Sequence, residues 1–331
     1  MMRSAKRLLA LCLCLVLTLP CLLCSCGGYE PIEPDKEDLT VVGQVGGRDV
    51  YMEELRFVAY TYRHMMTARY GEDIFTGAEK EKYLEMLREL VYDNITSNYA
   101  TVELCEEALI SLGETAVTEK VTEEISTLVD ELGGMRKYRK YLKENNLTDH
   151  FLRFSTEISL LQSELMYVYI DDILVIEDDD EKIYDLIMDE FIVVRHVFIP
   201  HTDSEAVSKI GSAAQRLSAG EDFAALISEL GQDPDMTDEG LFILEGYMTE
   251  DYESAAFALK VGEVSGIVED DNGYYLIQRL EMSIPDVMLR FDYLKQLYQT
   301  YTFYSILDEK QAELTFVPNN AGTAYMNDPF N

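Results

Sequence analysis

The segment between Val194 and Glu281 limits the fold of this chain more than any other part. It begins with an apolar strand pattern that carries one histidine, continues through two helical patterns and ends in a second strand pattern, NGYYLIQRLE. The Asn-Gly pair at the start of that last pattern lies between two apolar runs and is typical of a hairpin turn. The segment therefore predicts one short α+β domain within a longer, mainly helical chain.

Four motifs of this segment, in this order and spacing, resemble the parvulin type of peptidyl-prolyl isomerase domain. They read RHVFIP, LSAGEDFAALISEL, YESAAFALKVGEVSGIV and NGYYLIQRLE. The resemblance implies rotation of X–Pro peptide bonds and a fold in which helices flank a small antiparallel sheet. Such an isomerase needs a pocket for proline and a polar surround, so we expect no cofactor and no metal.

The resemblance assigns four polar residues to the catalytic site. His196 stands at the family's first histidine position on the first strand, and Asp233 stands where the family carries Cys or Asp. Tyr275 replaces the second histidine, and Asn272 replaces a common Ser or Thr. Two alternatives stay open, namely a core histidine at position 196 and a plain turn that starts at Asp233.

Three further residues correspond to the family's proline-binding pocket: Phe242, Met248 and Tyr252. The alternative to a pocket role for these three residues is ordinary packing in the core. The family's Gly-Gly motif is altered, because Glu239 precedes Gly240, and we expect Glu239 to resist the positive φ that glycine permits. The loop after the first strand has no cluster of Arg or Lys, which argues against a phosphate-selective site.

The first 25 residues read as a lipoprotein signal peptide. Three basic residues among the first seven precede the apolar run Leu8–Leu19, which is too short for a comfortable transmembrane helix. Leu23–Cys26 resembles a lipobox, in which Cys26 receives lipid and becomes the mature N-terminus. An uncleaved signal anchor is the alternative. We therefore expect an extracytoplasmic protein, lipid-anchored to the bacterial cell membrane.

The formal net charge of the chain is −35. Such a chain is not expected to bind nucleic acid through phosphate. An anionic membrane would also repel the folded body, which leaves the lipid and the polar, flexible segment 26–39 as the tether. Cys105 is the only cysteine after Cys26, and its place in a helical pattern predicts a small buried hydrophobe.

Residues 40–190 are predicted to form a helical chaperone region. Thr40–Tyr51 alternates and turns at a Gly-Gly pair, as a hairpin does, and helical patterns follow. The strand, turn and helix at its start resemble the N-terminal chaperone region of the PrsA/SurA group. That resemblance makes 191–282 an inserted isomerase domain and returns 283–318 to the chaperone region. Residues 319–331 read as a disordered tail.

The acid run Glu177–Glu181 has two readings. One is a divalent-metal site, and the other is an exposed linker whose acids favour the N-terminus of the next helix. No metal-ligand spacing follows the run, so we expect the second reading.

Together these features predict a lipid-anchored folding factor of the PrsA/SurA type. Its partners would be unfolded or partly folded exported proteins with X–Pro segments. The main alternative is a catalytically inactive parvulin fold that acts as a holdase chaperone, since Tyr275 and Glu239 depart from the family pattern. A lipoprotein solute receptor is a weaker reading, because such receptors usually show two lobes of repeating βαβ units.

Overall fold

The computed structural model describes residues 29–110, 115–171 and 176–329. The predicted signal peptide and Cys26 lie outside these residues. The chain divides into two compact units. We call Ile176–Thr302 the sheet unit, and we call the described residues of Cys14–Val175 and Phe303–Asn331 the helical unit.

The first part of the helical unit contains, in chain order, β1 (Val41–Val45), β2 (Arg48–Tyr51), α1 (Met52–Tyr70), a 3-10 turn (Glu72–Phe75), α2 (Lys80–Glu107), α3 (Thr115–Leu132), α4 (Met135–Glu144) and α5 (Asp149–Asp171). The sheet unit follows with α6 (Asp180–Glu190), β3 (Ile192–Pro200), α7 (Ala206–Ser218), α8 (Phe223–Leu230), β4 (Leu241–Ile243), α9 (Glu250–Ala258), β5 (Val268–Glu269), β6 (Gly273–Leu280), α10 (Ile284–Leu289) and the first residues of α11 (Phe291–Ala312). The chain returns to the helical unit with β7 (Phe316–Pro318) and α12 (Asn320–Asn327). A mainly helical chain with small antiparallel sheets confirms the predicted α+β class.

The helical unit contains a three-stranded antiparallel sheet in the order β2-β1-β7. β1 and β2 form the predicted hairpin, and Gly46 and Gly47 adopt the positive φ that its turn requires. β7 pairs with the other edge of β1. A side chain at Gly43 would collide with the ring of Phe316, so glycine at this position lets the two strands approach each other.

Helix α2 has one apolar face, because its buried residues recur at helical spacing from Leu84 to Cys105. Cys105 is fully buried, as predicted, and burial raises the pKa of its thiol to about 12. The apolar spacing of the sequence continues to Leu109, but the helix does not. The helix ends at Glu107, and Leu109 has a positive φ and is 90% exposed.

Side chains cap the starts of α5 and α6. The hydroxyl of Thr148 accepts a hydrogen bond from the backbone N–H of Phe151 at 3.0 Å, at the start of α5. The carboxylate of Asp179 accepts from the N–H groups of Glu181 and Lys182, at the start of α6. The acid run thus begins a helix, and the described residues include no group of side chains that could hold a metal ion.

The predicted flexible tether and the predicted disordered tail both make specific contacts. The Tyr29 hydroxyl donates to the Asp149 carboxylate at 2.9 Å, so part of the predicted tether is held against the helical unit. At the other end, the Asn319 side chain caps α12, and its backbone N–H donates to the carbonyl of Val42 at 2.9 Å. The predicted disordered tail is therefore helical over Asn320–Asn327, because an asparagine N-cap begins a helix there.

The sheet unit contains a four-stranded antiparallel sheet in the order β4-β3-β6-β5. β3 and β6 pair in register from Val193 opposite Leu280 to Pro200 opposite Gly273. Side chains alternate between the two faces along a strand, which places His196 on the face that α9 covers. Helices α7 and α8 pack on the other face.

The sheet unit is longer than the predicted isomerase segment, 191–282. Helices α6 and α10 and the first turns of α11 share one apolar cluster with Val193 of β3 and Phe242 of β4. This shared burial is the physical reason why the unit extends from Ile176 to Thr302. Within the described residues, no helix combines the length and the apolar character that a membrane crossing requires.

Candidate functional site

A row of hydrogen bonds lies at the centre of the sheet unit and passes through His196. The imidazole is 2% exposed, and its Nε2 lies 3.0 Å from a carboxylate oxygen of Asp233, in the loop after α8. Its Nδ1 lies 2.9 Å from the hydroxyl of Tyr252, on α9. The structure therefore brings three of the predicted site residues into direct contact.

The protonation of this row follows from its partners. The hydrogen bond from His196 holds the pKa of Asp233 below its usual value, against the opposing effect of burial. An ionised carboxylate only accepts hydrogen bonds, so Nε2 of His196 carries a hydrogen and donates it. The Tyr252 hydroxyl beside Nδ1 stays protonated, because burial raises its pKa well above the usual value.

The loop that carries Asp233 is fixed at two points. The N–H of Gln232 donates to the carbonyl of Phe198 on β3 at 2.9 Å. The second carboxylate oxygen of Asp233 accepts from the N–H of Asp235 at 2.9 Å. Asp233 thus takes both of the roles that the sequence left open, since one oxygen faces His196 and the other begins a turn.

Tyr275 contributes a ring, rather than a hydrogen bond, to the surroundings of His196. It lies on β6 opposite Phe198, with the two rings stacked at 4.7 Å, and its ring meets the imidazole edge-on at 5.4 Å. Its hydroxyl lies near the side chains of Asn272 and Asp270. Burial and the charge of Asp270 together raise the pKa of this hydroxyl.

Asn272 lies in the turn between β5 and β6. Its backbone N–H donates to the buried carboxylate of Asp270 at 2.7 Å, and the Thr249 hydroxyl donates to the same carboxylate at 2.8 Å. Asn272 therefore reaches the site through Asp270 and Tyr275. Its role in the structure is to hold the turn in which Asp270 sits.

The three predicted pocket residues have different environments. Met248 is half-buried and packs against the apolar cluster that includes Tyr252 and Tyr275. Tyr252 is fully buried, so its ring belongs to the core while its hydroxyl serves His196. The structure does not bring Phe242 to the site.

The place of Phe242 follows from strand alternation. Phe242 pairs with Val193, and both lie in the cluster that α6, α10 and α11 cover. His196 is three residues further along the same strand as Val193, so its side chain lies on the opposite face. The prediction that Phe242 forms part of the pocket is corrected accordingly.

The altered Gly-Gly motif needs only one glycine here. Gly240 has a φ of +76°, and a side chain at this position would collide with the carbonyl of Val194. Among the described residues, the non-glycine residues with positive φ are Leu109 and Asn146. Glu239 therefore does not adopt the positive φ that the family's glycine permits. The Glu239 carboxylate pairs with Arg290 at 2.7 Å.

Sequence reasoning missed two residues of the site. Phe198 is half-exposed and stacks on Tyr275, and its position two residues after His196 on one strand was a usable signal. Asp270 is buried and joins Thr249 to the turn of Asn272. No sequence pattern pointed to Asp270, because its importance comes from burial.

The chemistry of the site is that of hydrogen bonding beside an apolar surface. An imidazole, an ionised carboxylate and a hydroxyl lie close to the half-exposed side chains of Phe198 and Met248. Such a set can hold an apolar ring and place polar groups near a peptide bond.

Comparison with known proteins agrees with this geometry. Residues 196–281 match the rotamase family, described as the PPIC-type PPIASE domain. The chain is 27% identical to foldase protein PrsA of Caldanaerobacter subterraneus subsp. tengcongensis, over 83% of this chain and 84% of that protein. It is 29% identical to foldase protein PrsA of Halalkalibacterium halodurans, over 65% of this chain and 66% of that protein.

The solved structure of the peptidylprolyl isomerase PrsA from Bacillus anthracis aligns with a TM-score of 0.35 and 17% identity, over 65% of this chain and 94% of that one. The predicted resemblance is confirmed by the family match and the relatives. The chain contains a PPIC-type domain and is similar over most of its length to PrsA foldases.

Proposed function

We propose that this chain is an extracytoplasmic, lipid-anchored foldase that rotates X–Pro bonds in exported proteins and also holds unfolded segments of them. The match of residues 196–281 to the PPIC-type domain and the similarity to PrsA foldases support it. The observation that carries the proposal is the position of His196 between Asp233 and Tyr252, beside an apolar surface.

Rotation of an X–Pro bond needs no nucleophile, metal or cofactor. Its barrier of about 18–20 kcal/mol comes from the resonance of the planar amide. A catalyst must therefore bind the twisted amide better than the planar one. An apolar surface beside fixed hydrogen-bonding groups suits this task, because it can hold the proline ring while the polar groups meet the changing charge of the amide.

The hydrogen bond from Tyr252 bears on the loss of the second histidine. Nδ1 of His196 already has a buried partner, so the imidazole is oriented without an imidazole at position 275. This arrangement supports catalysis by the present residues. The near-complete burial of His196 and Tyr252 favours the alternative, an inactive holdase, because a substrate must approach the row through Asp233 or the apolar side chains.

The anchoring part of the proposal rests on the signal peptide pattern and on Leu23–Cys26. Replacement of Cys26 by Ala is expected to release the protein from membranes or to block its processing. Fractionation of cells that produce the parent chain and the Cys26→Ala variant measures both effects. Unchanged processing together with unchanged membrane retention would contradict lipidation.

The experiment that tests catalysis measures the cis-to-trans conversion of a short X–Pro peptide. His196→Ala should lower the acceleration by about 100-fold, the usual order for loss of a polar group that acts on the transition state. Tyr275→His should leave the acceleration unchanged or increase it, since the ring of residue 275 already meets His196 edge-on at 5.4 Å. If neither the parent nor Tyr275→His accelerates the conversion, and the parent still suppresses aggregation of an unfolded client, the catalytic proposal fails and the holdase alternative is supported.

A further inference from the structure

Helix α4 is a cationic surface in a strongly acidic chain. The whole chain has 27 Lys and Arg against 62 Asp and Glu, yet the ten residues of α4 include five basic ones and one acid. All five are exposed: Arg136, Lys137, Arg139, Lys140 and Lys143. Among the described residues, only Lys140 of these five forms an ion pair, with Glu144 at 3.4 Å.

The orientation of α4 is fixed by its buried side. Tyr138 and Leu142 are buried, and the Tyr138 hydroxyl donates to the Asp149 carboxylate at 2.6 Å. Asp149 itself is 2% exposed. Since the helix is held on this side, its basic side chains remain on the solvent side.

The start of the described chain is fixed at the same place. The Tyr29 hydroxyl donates to the Asp149 carboxylate at 2.9 Å, and the Tyr29 ring meets the Tyr138 ring edge-on at 6.2 Å. The backbone N–H of Ile32 donates to Asp149 at 3.1 Å. The segment that emerges from the N-terminal part of the chain therefore lies against α4.

The proposed lipid attachment is only three residues before Tyr29. An extended chain spans at most about 3.6 Å per residue, so Cys26 lies within about 11 Å of Tyr29. That length is short compared with the helical unit itself. A lipid at Cys26 would thus hold α4 close to the bilayer surface.

We propose that the basic side of α4 binds the anionic phospholipid headgroups of the membrane beside the anchor. This inference rests on the proposed lipidation of Cys26 for its placement, and on the charge and exposure of α4 for its chemistry. Repulsion keeps the acidic remainder of the chain away from an anionic surface. Screening over about 8 Å at physiological salt limits that repulsion to nearby groups, so α4 determines which side faces the membrane.

The sequence predicted that an anionic membrane repels the whole folded body. Under this proposal, only the surfaces outside α4 are repelled. Soluble anionic polymers are the competing ligand, and the bilayer is favoured because the anchor brings α4 to it. The predicted consequence is one preferred orientation of the helical unit on the membrane.

The test measures sedimentation of the unacylated chain from Gly27 to Asn331, which keeps every described residue, with lipid vesicles. The parent should bind vesicles of phosphatidylcholine mixed with an equal amount of phosphatidylglycerol, and should not bind phosphatidylcholine alone. Lys137→Gln, Lys140→Gln and Lys143→Gln combined should lower partitioning by about 100-fold, since each cation near an anionic surface contributes about fivefold. High salt should remove the binding of the parent.

The matched control removes the same charge from three exposed lysines outside α4, in the combined variant Lys82→Gln, Lys182→Gln and Lys260→Gln. It should bind within about twofold of the parent, because it leaves all five basic residues of α4 in place. Circular dichroism checks that both variants fold.

Three results would overturn the proposal. They are no binding of the parent to the anionic vesicles, an equal loss in the two triple variants, or full displacement by polyphosphate at equal phosphate concentration. The last result would assign α4 to soluble polyanions. Peptide isomerisation and the Cys26→Ala fractionation are separate measurements, so a failure here is distinguishable from a failure of the proposed function.

Discussion

Each unit contains a carboxylate that is hydrogen-bonded to an aromatic side chain, but the two carboxylates differ in their exposure to solvent. In the helical unit Asp149 is buried and accepts hydrogen bonds from two tyrosine hydroxyls and one backbone N–H. In the sheet unit Asp233 is half-exposed and accepts from His196 and from one backbone N–H. The first arrangement joins chain segments, and the second leaves polar atoms beside an accessible apolar surface. Exposure, rather than the hydrogen bonds themselves, therefore separates a structural carboxylate from a candidate catalytic one.

The largest expected effect comes from removing the structural carboxylate. Asp149→Ala leaves the buried hydroxyl of Tyr138 and the half-buried hydroxyl of Tyr29 without an acceptor. It also removes the partner of the Arg153 side chain, whose Nε lies 3.2 Å away. Loss of a buried charged partner costs about 3–5 kcal/mol. Urea unfolding should show a decrease of this size in the free energy of unfolding of the helical unit.

Asp233→Ala is the matched variant, and it should cost only about 1 kcal/mol, because Asp233 is half-exposed and its removal lets water reach Nε2 of His196. Isomerase activity should respond in the opposite way, with a large loss for Asp233→Ala and little change for Asp149→Ala. Equal losses of stability in the two variants would remove the distinction between the two carboxylates.

Two of the three predicted pocket residues, Phe242 and Met248, should likewise differ in whether their loss affects stability or peptide binding. Phe242→Ala removes a buried ring from the cluster under α6, α10 and α11, so it should cost about 3–5 kcal/mol of stability in the sheet unit. Met248→Ala, at a half-exposed position, should mainly weaken binding of proline peptides. Calorimetric titration with an X–Pro peptide and thermal unfolding of both variants measure the two effects. If Phe242→Ala weakens peptide binding more than Met248→Ala does at a temperature where both are folded, Phe242 belongs to the site.

The pH dependence of stability should differ in sign between the units. Burial raises the pKa of Glu54, on α1, to about 7, although hydrogen bonds from Asn98 and Tyr99 act in the opposite direction. The folded state then binds more protons than the unfolded state, so this stability is complete below about pH 4.5 and is lost as the pH rises through 7. Asp233 has a lowered pKa, so its contribution is present above the ordinary Asp value, about 3.9, and is lost as the pH falls through the lower folded value.

Urea unfolding at pH 5 and at pH 8 measures the effect of Glu54. The helical unit of the parent should be less stable at pH 8 by about 3 kcal/mol from this residue, and Glu54→Gln should lack that difference. The sheet unit should show no decrease from Asp233 over the same range. A Glu54→Gln variant with the parent's pH dependence would show that another group titrates.

The smallest expected effect comes from single hydroxyl groups. Tyr252→Phe keeps the buried ring but removes the hydrogen bond to Nδ1 of His196, which should lower kcat/KM about tenfold, the equivalent of about 1.4 kcal/mol. Tyr275→Phe is the control, because its hydroxyl faces Asp270 and Asn272 rather than the imidazole. Its kcat/KM should stay within about twofold of the parent. Equal losses in the two variants would place the Tyr275 hydroxyl in the catalytic row.

Much of this organisation could be predicted from local patterns. The hairpin of β1 and β2, the helical face of α2, the Thr148 cap and the position of His196 all depend on residues close together in sequence. Asp233 was predicted by resemblance, and its contact with His196 depends on a loop tied to β3. The error at Phe242 came from alignment by motif in a three-residue strand, where strand pairing decides which face a side chain occupies.

Other features depend on contacts that no local pattern encodes. Tyr29 meets Asp149 across 120 residues of chain, so a polar segment with two prolines could be read only as a tether. Asp270 is distinguished by burial, which follows from the packing of α9 against β5 and β6. Helix α12 is a different case, because the Asn319 cap was visible in the sequence and could have predicted it.

The buried thiol of Cys105 has a consequence for a protein that handles unfolded chains. A thiol attacks a disulfide only as the thiolate, and burial, which raises the pKa of Cys105 to about 12, keeps that form scarce at neutral pH. Exported chains form disulfides as they oxidise, and a reactive thiolate nearby would attack such a disulfide, release one client thiolate and form a mixed disulfide with the other sulfur. In the proposed role the described part of the chain can therefore hold oxidising clients without joining their covalent chemistry.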